Sequence, residues 1–335
     1  MPCVTISKTP LTATRGRCFD LFEARAQSTR QSASDPIGLA GATPQTWERC
    51  ILRSMRGARI HLFIVSLVAA LICCRAPVYA QSVSFQFSQL PASEIRQDLG
   101  LFADGNAARE SQLRKMFLKA GCAAADLTEE SVRRKDPPNI TCTLPGRSPS
   151  VIIVGAHTDH ADVGQGVVDD WSGAALLPAL IESLRKTPRR HTFLFIGFAD
   201  EEKRLVGSRY YVQHLNRAQV RNIRAMINLE CLGLTPTKVW ASRANRLLLS
   251  DLVLIARHYQ LVVQGVNVDR VGDDDTHPFL WRHVPVITIH SVTQETWPIL
   301  HSPRDNLSAI NFDDYYDSYR LIAAYLAYLD ATLPQ

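Results

Sequence analysis

The sequence lacks a sizeable net charge outside its first 80 residues, and its N-terminal apolar stretch is too short to cross a membrane. Residues 1–80 hold ten basic and four acidic residues, which leaves 27 basic and 28 acidic residues in 81–335. The overall charge of +5 therefore gives no reason to expect a nucleic-acid partner. The stretch from Ile60 to Cys74 has 15 residues, whereas a membrane span needs about 20. We expect no stable membrane span once this stretch has been removed as a cleaved signal.

The same stretch is typical of a secretory signal. Three arginines precede it, and a short segment ending at Ala80 follows it, which predicts cleavage after that alanine. We interpret residues 55–80 as a signal peptide, with an uncleaved anchor as the alternative. We interpret residues 1–54 as a gene-model extension before a start at Met55, or as a disordered leader such as a transit segment. Residues 81–335 would then be exported to the periplasm or the extracellular space.

Cysteine is scarce in the part predicted to be exported. Five of the eight cysteines lie in residues 1–80, which leaves Cys122, Cys142 and Cys231. We expect a disulfide between Cys122 and Cys142 in an oxidising compartment, with two free, half-buried thiols as the alternative. We expect Cys231 to be a small buried apolar residue rather than a ligand.

Internal repeats and long linkers are absent from residues 81–335, in which apolar runs alternate with helical periodicity. Residues 81–150 are predicted to be a helical region, with helices over 93–102 and 109–120. Strands are predicted over 151–157, 192–198, 223–229 and 285–290, with short ones over 239–241 and 261–264. Further helices are predicted over 172–186, 205–215, 244–259 and 313–332. This alternation predicts a single α/β domain whose central sheet has helices on both faces.

Histidines and acidic residues follow the predicted strands, in the segments GAHTDH, VVDDWSG, ADEE, NLE and LHSPRD. Ligands of open α/β sheets bind beyond the carboxyl ends of the strands. Carboxylates gathered at such an edge repel one another unless a cation or a proton neutralises them. Two imidazoles with three or four carboxylates suit zinc. The set exceeds one tetrahedral site, which indicates two metals that share a bridging carboxylate.

The ordered motifs GAHTDH, VVDDWSG, FADEEKRLVGS, INLECLG, DDDTHPF and LHSPRDN resemble the M28 family of zinc aminopeptidases over about residues 120–330. The resemblance implies a zinc exopeptidase-like fold with a mixed, mostly parallel sheet. It implies a metallo-aminopeptidase that hydrolyses N-terminal peptide bonds with a metal-activated water. Zinc would be the cofactor, with two ions per chain or one as the alternative. The substrate would be a peptide or a small amide.

The resemblance also implies five metal ligands, which are His157, Asp169, Glu202, Glu230 and His301. Asp169 would bridge the two zincs. His157 and Glu230 would bind one zinc, and Glu202 and His301 would bind the other.

Four further residues receive roles from the same resemblance. Asp159 would orient His157, and Glu201 would be the general base. Asp275 and His277 lie in a loop that approaches the pocket in the family. They are candidates for contact with the substrate, with ordinary hydrogen bonding within the loop as the alternative.

The chain departs from the family pattern at three positions. Glu230 stands where the family usually has Asp, and Arg204 stands where it usually has Gly. Trp171 occupies a place usually held by a small residue. We expect it to be a core aromatic, and the alternative is that it narrows the mouth of the site.

Two other functions fit parts of the pattern. A glutaminyl cyclase is a mono-zinc aminoacyltransferase with the same fold, a Glu pair and a late His. Only KRLV separates Glu202 from Gly207 here, and cyclases tend to carry an insertion there, so the spacing favours a peptidase. The second alternative is a non-catalytic ectodomain, although every expected ligand position holds His, Asp or Glu.

Overall fold

The computed structural model of the protein describes residues 3–7, 82–269 and 272–335. The predicted signal peptide and most of the predicted leader lie outside these residues. Ten strands occur in the described part of the chain. They are β1 Cys3–Ser7, β2 Ser82–Gln86, β3 Leu127–Glu130, β4 Asn139–Leu144, β5 Val151–His157, β6 Thr192–Phe198, β7 Ile223–Leu229, β8 Lys238–Val239, β9 Gln264–Gly265 and β10 Val286–His290.

Eight α-helices of at least five residues are present in the same described ranges. They are α1 Ala92–Leu99, α2 Asn106–Lys119, α3 Leu176–Arg185, α4 Val206–His214, α5 Arg217–Asn222, α6 Arg246–Tyr259, α7 His277–Trp281 and α8 Phe312–Thr332. No helix in the described part of the chain is both long enough and apolar enough to cross a membrane.

Strands β3 to β10 form one eight-stranded sheet in the order β3-β4-β6-β5-β7-β10-β8-β9. The four central strands, from β6 to β10 in this order, pair in parallel. Strands β3 and β4 are antiparallel additions at one edge, and β8 pairs antiparallel with β10. The predicted α/β fold with a mixed, mostly parallel sheet is confirmed. Strands β1 and β2 form a separate two-stranded sheet.

Successive side chains of the central strands point to opposite faces of the sheet, and both faces are covered. On β5, Ile152 and Val154 pack into the larger core with α3 and α8, whereas Ile153 packs into the second core beside α4 and α7. This alternation follows from the two-residue repeat of a strand. It explains why the central strands are apolar throughout, because both of their faces are buried.

The prediction that residues 81–150 are helical is wrong in part. The two predicted helices are present as α1 and α2, but the region also contributes β2, β3 and β4. Strand β4 has the sequence NITCTL and alternates polar with apolar residues, and its pairing with β6 across about 50 residues decides that it is a strand. The predicted disulfide is confirmed, and it joins Cys142 of β4 to Cys122 just after α2.

Pro178 does not break the helix predicted over 172–186. A short helical segment, Ser172–Ala174, leads into α3, and Pro178 is the third residue of that helix. The N–H groups of the first turn of a helix have no partner within the helix, so proline is tolerated there.

Candidate metal centre

The predicted metal ligands meet at the carboxyl ends of the central strands. His157 is the last residue of β5, Glu230 follows β7 directly, and Glu202 lies in the turn after β6. Asp169 comes from the connection between β5 and α3, and His301 comes from the loop after β10. Parallel strands end at the same edge of a sheet, which is why residues far apart in sequence come together here.

The carboxylate of Asp169 lies between two sets of side chains. Its Oδ1 is 3.0 Å from Nε2 of His157, and its Oδ2 is 3.1 Å from Nε2 of His301. On one side, Oε1 of Glu230 lies 3.3 Å from the same nitrogen of His157. On the other side, Oε1 of Glu202 lies 3.0 Å from Nε2 of His301. One carboxylate therefore faces a separate His–Glu pair with each of its two oxygens.

These separations fit a metal-binding site. In a tetrahedral zinc site with bonds of about 2.0–2.2 Å, neighbouring ligand atoms lie roughly 3.3–3.6 Å apart. The four distances above, 3.0 to 3.3 Å, fall at or a few tenths of an ångström below the lower end of this range. Asp169, Glu202 and His301 present one ligand atom each within 4.8 Å of one another. The donor set of two imidazoles and three carboxylates also matches the preference of zinc for nitrogen and oxygen ligands.

Asp170 is a weaker ligand candidate than Asp169, although one of its oxygens also lies close to His157 and Glu230. Its Oδ1 accepts the backbone N–H groups of Gly173 at 3.1 Å and Cys231 at 3.0 Å. Its Oδ2 accepts the backbone N–H of His157 at 3.3 Å. Asp170 therefore connects β5, the short helical segment Ser172–Ala174 before α3 and the residues directly after β7. The peptide bond between Asp169 and Asp170 is cis.

Cys231 is buried, as expected. Burial, together with the nearby carboxylates of Asp169 and Glu230, raises the pKa of its thiol well above the usual value. Because only the thiolate binds metal well, the oxygen and nitrogen ligands are better candidates than this sulfur.

Asp159 connects the end of β5 with the turn that carries Glu201 and Glu202. Its two carboxylate oxygens accept the backbone N–H groups of Glu201 at 2.9 Å and Glu202 at 3.1 Å. Nδ1 of His157, the ring nitrogen that faces away from Asp169, lies 3.0 Å from the backbone carbonyl oxygen of Asp159 and 3.5 Å from its Oδ1. A carbonyl or carboxylate in this position sets the orientation and basicity of a ligating histidine.

Several carboxylates lie close together in this buried cluster, and their proximity shifts the pKa values of its members. Burial raises the pKa of Glu201 well above the usual value, and the charges of Glu230, Asp275 and Asp169 add to the rise. Hydrogen bonds to Asp169 and Glu202 raise the pKa of His301 to about 10. These shifts indicate that the carboxylates need neutralising positive charge, which protons and imidazolium groups supply here and which a metal cation would also supply.

A buried arginine and an aspartate clamp the loop that carries Asp169. Arg109 of α2 is fully buried and donates to the carbonyls of Gly166 at 2.9 Å and Gln165. The carboxylate of Asp305 accepts the N–H groups of Val168 at 2.7 Å and Asp169 at 3.3 Å. The sequence alone predicts no role for this pair. Its one indication is that Arg109 shares a helix face with the buried apolar residues Leu113, Met116 and Phe117.

Three other predicted residues have clear positions. Trp171 is fully buried and donates its Nε1–H to the carbonyl of Leu99 at 2.9 Å, so the core interpretation is correct. Asp275 is fully buried, and burial raises its pKa to about 8. His277 pairs with Asp273 and packs edge-on against Trp281, with ring centroids 4.6 Å apart. Asp273 lines the cavity beside the candidate metal ligands, whereas His277 does not.

Several candidate metal ligands line a cavity of about 400 Å³, which we call the central cavity. Its polar lining includes Asp169, Glu201, Glu202, Glu230 and His301. Its apolar lining, which we call the apolar wall, includes Trp240, Val268, Val292, Trp297 and Leu300.

Comparison with known proteins identifies a family for most of the described sheet and its helices. A family model described as Peptidase family M28 matches residues 139–326, which is more than half of the chain. The aminopeptidase YwaD of Bacillus subtilis is 24% identical over 66% of this chain and 48% of its own length. The chain spans a quarter to a half of the first curated relatives that it matches.

Two solved structures show the same fold. The aminopeptidase LapA of Legionella pneumophila has a TM-score of 0.63 with 20% identity, over 73% of this chain and 73% of that chain. A glutaminyl cyclase of an Acidobacteriales bacterium has a TM-score of 0.61 with 19% identity, over 71% of this chain and 93% of that chain.

Proposed function

The chain belongs to peptidase family M28, and on this premise we propose that it is a zinc-dependent aminopeptidase that cleaves N-terminal peptide bonds. The observation that carries the proposal is the position of Asp169. Each of its oxygens faces a different His–Glu pair, at 3.0 and 3.1 Å from the two histidine nitrogens. This arrangement suits two metal ions that share one carboxylate.

In this proposal His157, Asp169 and Glu230 would hold one zinc, and Asp169, Glu202 and His301 would hold the other. The metal would polarise the scissile carbonyl and lower the pKa of a water molecule. Asp159 would orient His157 through Nδ1 of that ring, which contacts the backbone carbonyl of Asp159 at 3.0 Å and its carboxylate at 3.5 Å. Glu230, which replaces the usual Asp, is held by a hydrogen bond from Asn228 Nδ2 to its Oε2 at 2.8 Å.

Glu201 is the proposed general base. Its side chain lines the central cavity beside the ligands, and Asp159 holds its backbone N–H. It accepts a proton from the attacking water and then donates that proton to the leaving amine. The raised pKa of this carboxyl without metal suits a group that must gain and release a proton.

The size of the central cavity supports cleavage at a chain end. A cavity of about 400 Å³ lies at the lower end of the range for ligand pockets, and the apolar wall suits a short segment of peptide. We propose that the substrate is a peptide or a small amide with a free N-terminus.

A glutaminyl cyclase is the second candidate function. The observation that favours it is the similarity of fold and length, since the chain covers 93% of a solved cyclase at a TM-score of 0.61. A single zinc held by Asp169, Glu202 and His301 would be enough for a cyclase. The short KRLV connection after Glu202 favours the peptidase.

We also propose that residues 55–80 direct export and that residues 81–335 form the catalytic domain. The Cys122–Cys142 disulfide supports this proposal, because disulfides persist mainly in oxidising compartments. Mass spectrometry of the native protein should find a mature N-terminus at Gln81. A peptide from residues 20–50 would contradict a start at Met55.

The central test compares the purified protein with its Glu201→Gln variant. We expect aminoacyl p-nitroanilides to be hydrolysed, and we expect a chelator to abolish the activity and zinc to restore it. The variant should bind as much zinc as the parent but lose activity by about 10²–10⁴-fold. Full activity in the variant would refute the role of Glu201.

A second assay separates the two candidate functions. An N-terminal glutaminyl peptide is incubated with the protein, and its products are identified by mass. Release of free glutamine supports the peptidase, and a pyroglutamyl product with one zinc per chain supports the cyclase.

A further inference from the structure

Two arginines line the central cavity without an anionic partner. Arg204 lies in the turn between β6 and α4, and Arg209 lies in α4. Among the residues that the structure describes, neither guanidinium forms a hydrogen bond or an ion pair with a side-chain carboxylate. Nε of Arg209 is buried without a partner, and its guanidinium carbon lies 5.6 Å from the centre of the Trp281 ring. An unpaired buried donor is unfavourable, so a ligand that accepts its hydrogen bond would be stabilised there.

Two aspartates that line the same cavity already have partners. Asp273, which also lines the cavity, contacts Arg243 at 2.5 Å and pairs with His277. Asp274 accepts hydrogen bonds from the hydroxyls of Thr276 and Thr288. Among the cationic side chains of the described residues that line this cavity, Arg204 and Arg209 are therefore the two without a carboxylate partner.

The backbone of Arg204 has a conformation that is unusual for a residue with a side chain. Its φ of 76° lies in the left-handed region that favours glycine. Members of the M28 family usually have Gly at this position. The chain therefore carries a long cationic side chain at a position where a non-glycine residue is disfavoured. A planar guanidinium is suited to binding a carboxylate through two hydrogen bonds.

Building on the proposed function, we propose that Arg204 and Arg209 bind a carboxylate of the substrate. Two sources supply this chemistry. One is the side chain of an N-terminal Asp or Glu, and the other is the C-terminal carboxylate of a dipeptide. In both cases the substrate places its free amine at the metal centre and its negative charge on the arginine side of the same cavity.

The test uses matched pairs of substrates that differ in one charge. The p-nitroanilides of Asp and Asn test the side-chain source, and leucyl-glycine and leucyl-glycinamide test the C-terminal source. The measured quantity is the ratio of kcat/KM for the charged member to that for the neutral member. We expect a ratio of roughly 5–10 in at least one pair, from charge-assisted hydrogen bonds to partly exposed arginines. The ratio should fall as salt is added.

Variants link the ratio to the two residues. Arg204→Gly introduces the usual family residue, and Arg209→Met removes the second charge at similar length. We expect each variant to bring the ratio close to one. Arg217→Gln is the matched control, because Arg217 is exposed and does not line the cavity, and it should keep the ratio of the parent protein. Melting curves check that the variants fold. Calorimetric binding of aspartate and asparagine gives a readout independent of turnover, and the preference for aspartate should shrink in the same two variants.

The outcomes separate the two proposals. Hydrolysis of neutral substrates with a ratio at or below one in both pairs would overturn the carboxylate site and leave the aminopeptidase proposal standing. A high ratio that survives both arginine substitutions would overturn it as well. Failure of the zinc-loaded protein to hydrolyse any of these substrates would overturn the proposed function, and this inference with it.

Discussion

Replacing Arg109 by Met tests whether the buried clamp positions the bridging carboxylate. The guanidinium donates to the carbonyl of Ala103 at 3.1 Å, to that of Gly166 at 2.9 Å, and to that of Gln165. Burial lowers its pKa to about 10, so it remains charged at neutral pH. Methionine fills similar space but leaves these carbonyls unpaired and removes the cation that faces Asp305.

The expected loss follows from this geometry. A buried carbonyl without a partner costs about 1–3 kcal/mol, and removing one member of a buried charge pair costs about 3–5 kcal/mol. Because these contacts hold the same loop, their effects do not add. We expect the free energy of unfolding to decrease by about 3–5 kcal/mol. The loop that carries Asp169 should also loosen, which predicts zinc affinity weaker by about 10–100-fold.

The assay combines urea unfolding of the metal-free protein with zinc titration. Arg114→Met is the matched control. Arg114 lies on the same helix, but its ion pair with Glu129 is 46% exposed on both sides, so its loss should cost less than about 1 kcal/mol. Arg109→Lys keeps the charge with fewer donors and should fall between the two. If Arg109→Met and Arg114→Met change the free energy of unfolding and the zinc affinity to the same extent, Arg109 does not position the loop that carries Asp169.

Three further predictions concern other parts of the molecule. Replacing Cys122 and Cys142 by Ala opens a loop of sequence separation 20 and should lower stability by about 3 kcal/mol; an unchanged melting temperature would contradict this. Trp171→Phe removes the hydrogen bond to Leu99 and some core volume, so urea unfolding should show a loss of about 2 kcal/mol, and a neutral result would argue against the core role. Burial raises the pKa of Asp275 to about 8, so its charged form is disfavoured in the folded protein, and stability falls as pH rises from about 4 to 8. Asp275→Asn should therefore stabilise the metal-free protein more at pH 8 than at pH 4, and an equal effect at both pH values would contradict the assignment.

The sequence by itself determined the order and type of the main elements and the segments that bear the metal ligands. The apolar runs of β5, β6 and β7 can be recognised because these strands are buried on both faces. The short edge strands were missed or misplaced. Strand β4 has an ambiguous local pattern, and its pairing with β6 is a long-range contact that no local periodicity encodes.

Only the tertiary structure decided which oxygen of Asp169 faces which histidine, and how the loop is held that places it there. The sequence offered two adjacent aspartates of equal chemistry, and the fold occupies Asp170 with backbone N–H groups while leaving Asp169 in the cavity. The clamp of Arg109 and Asp305 and the two unpaired cavity arginines likewise depend on packing between distant segments. Local sequence specifies which groups can do the chemistry, and long-range packing decides which of them are free to do it.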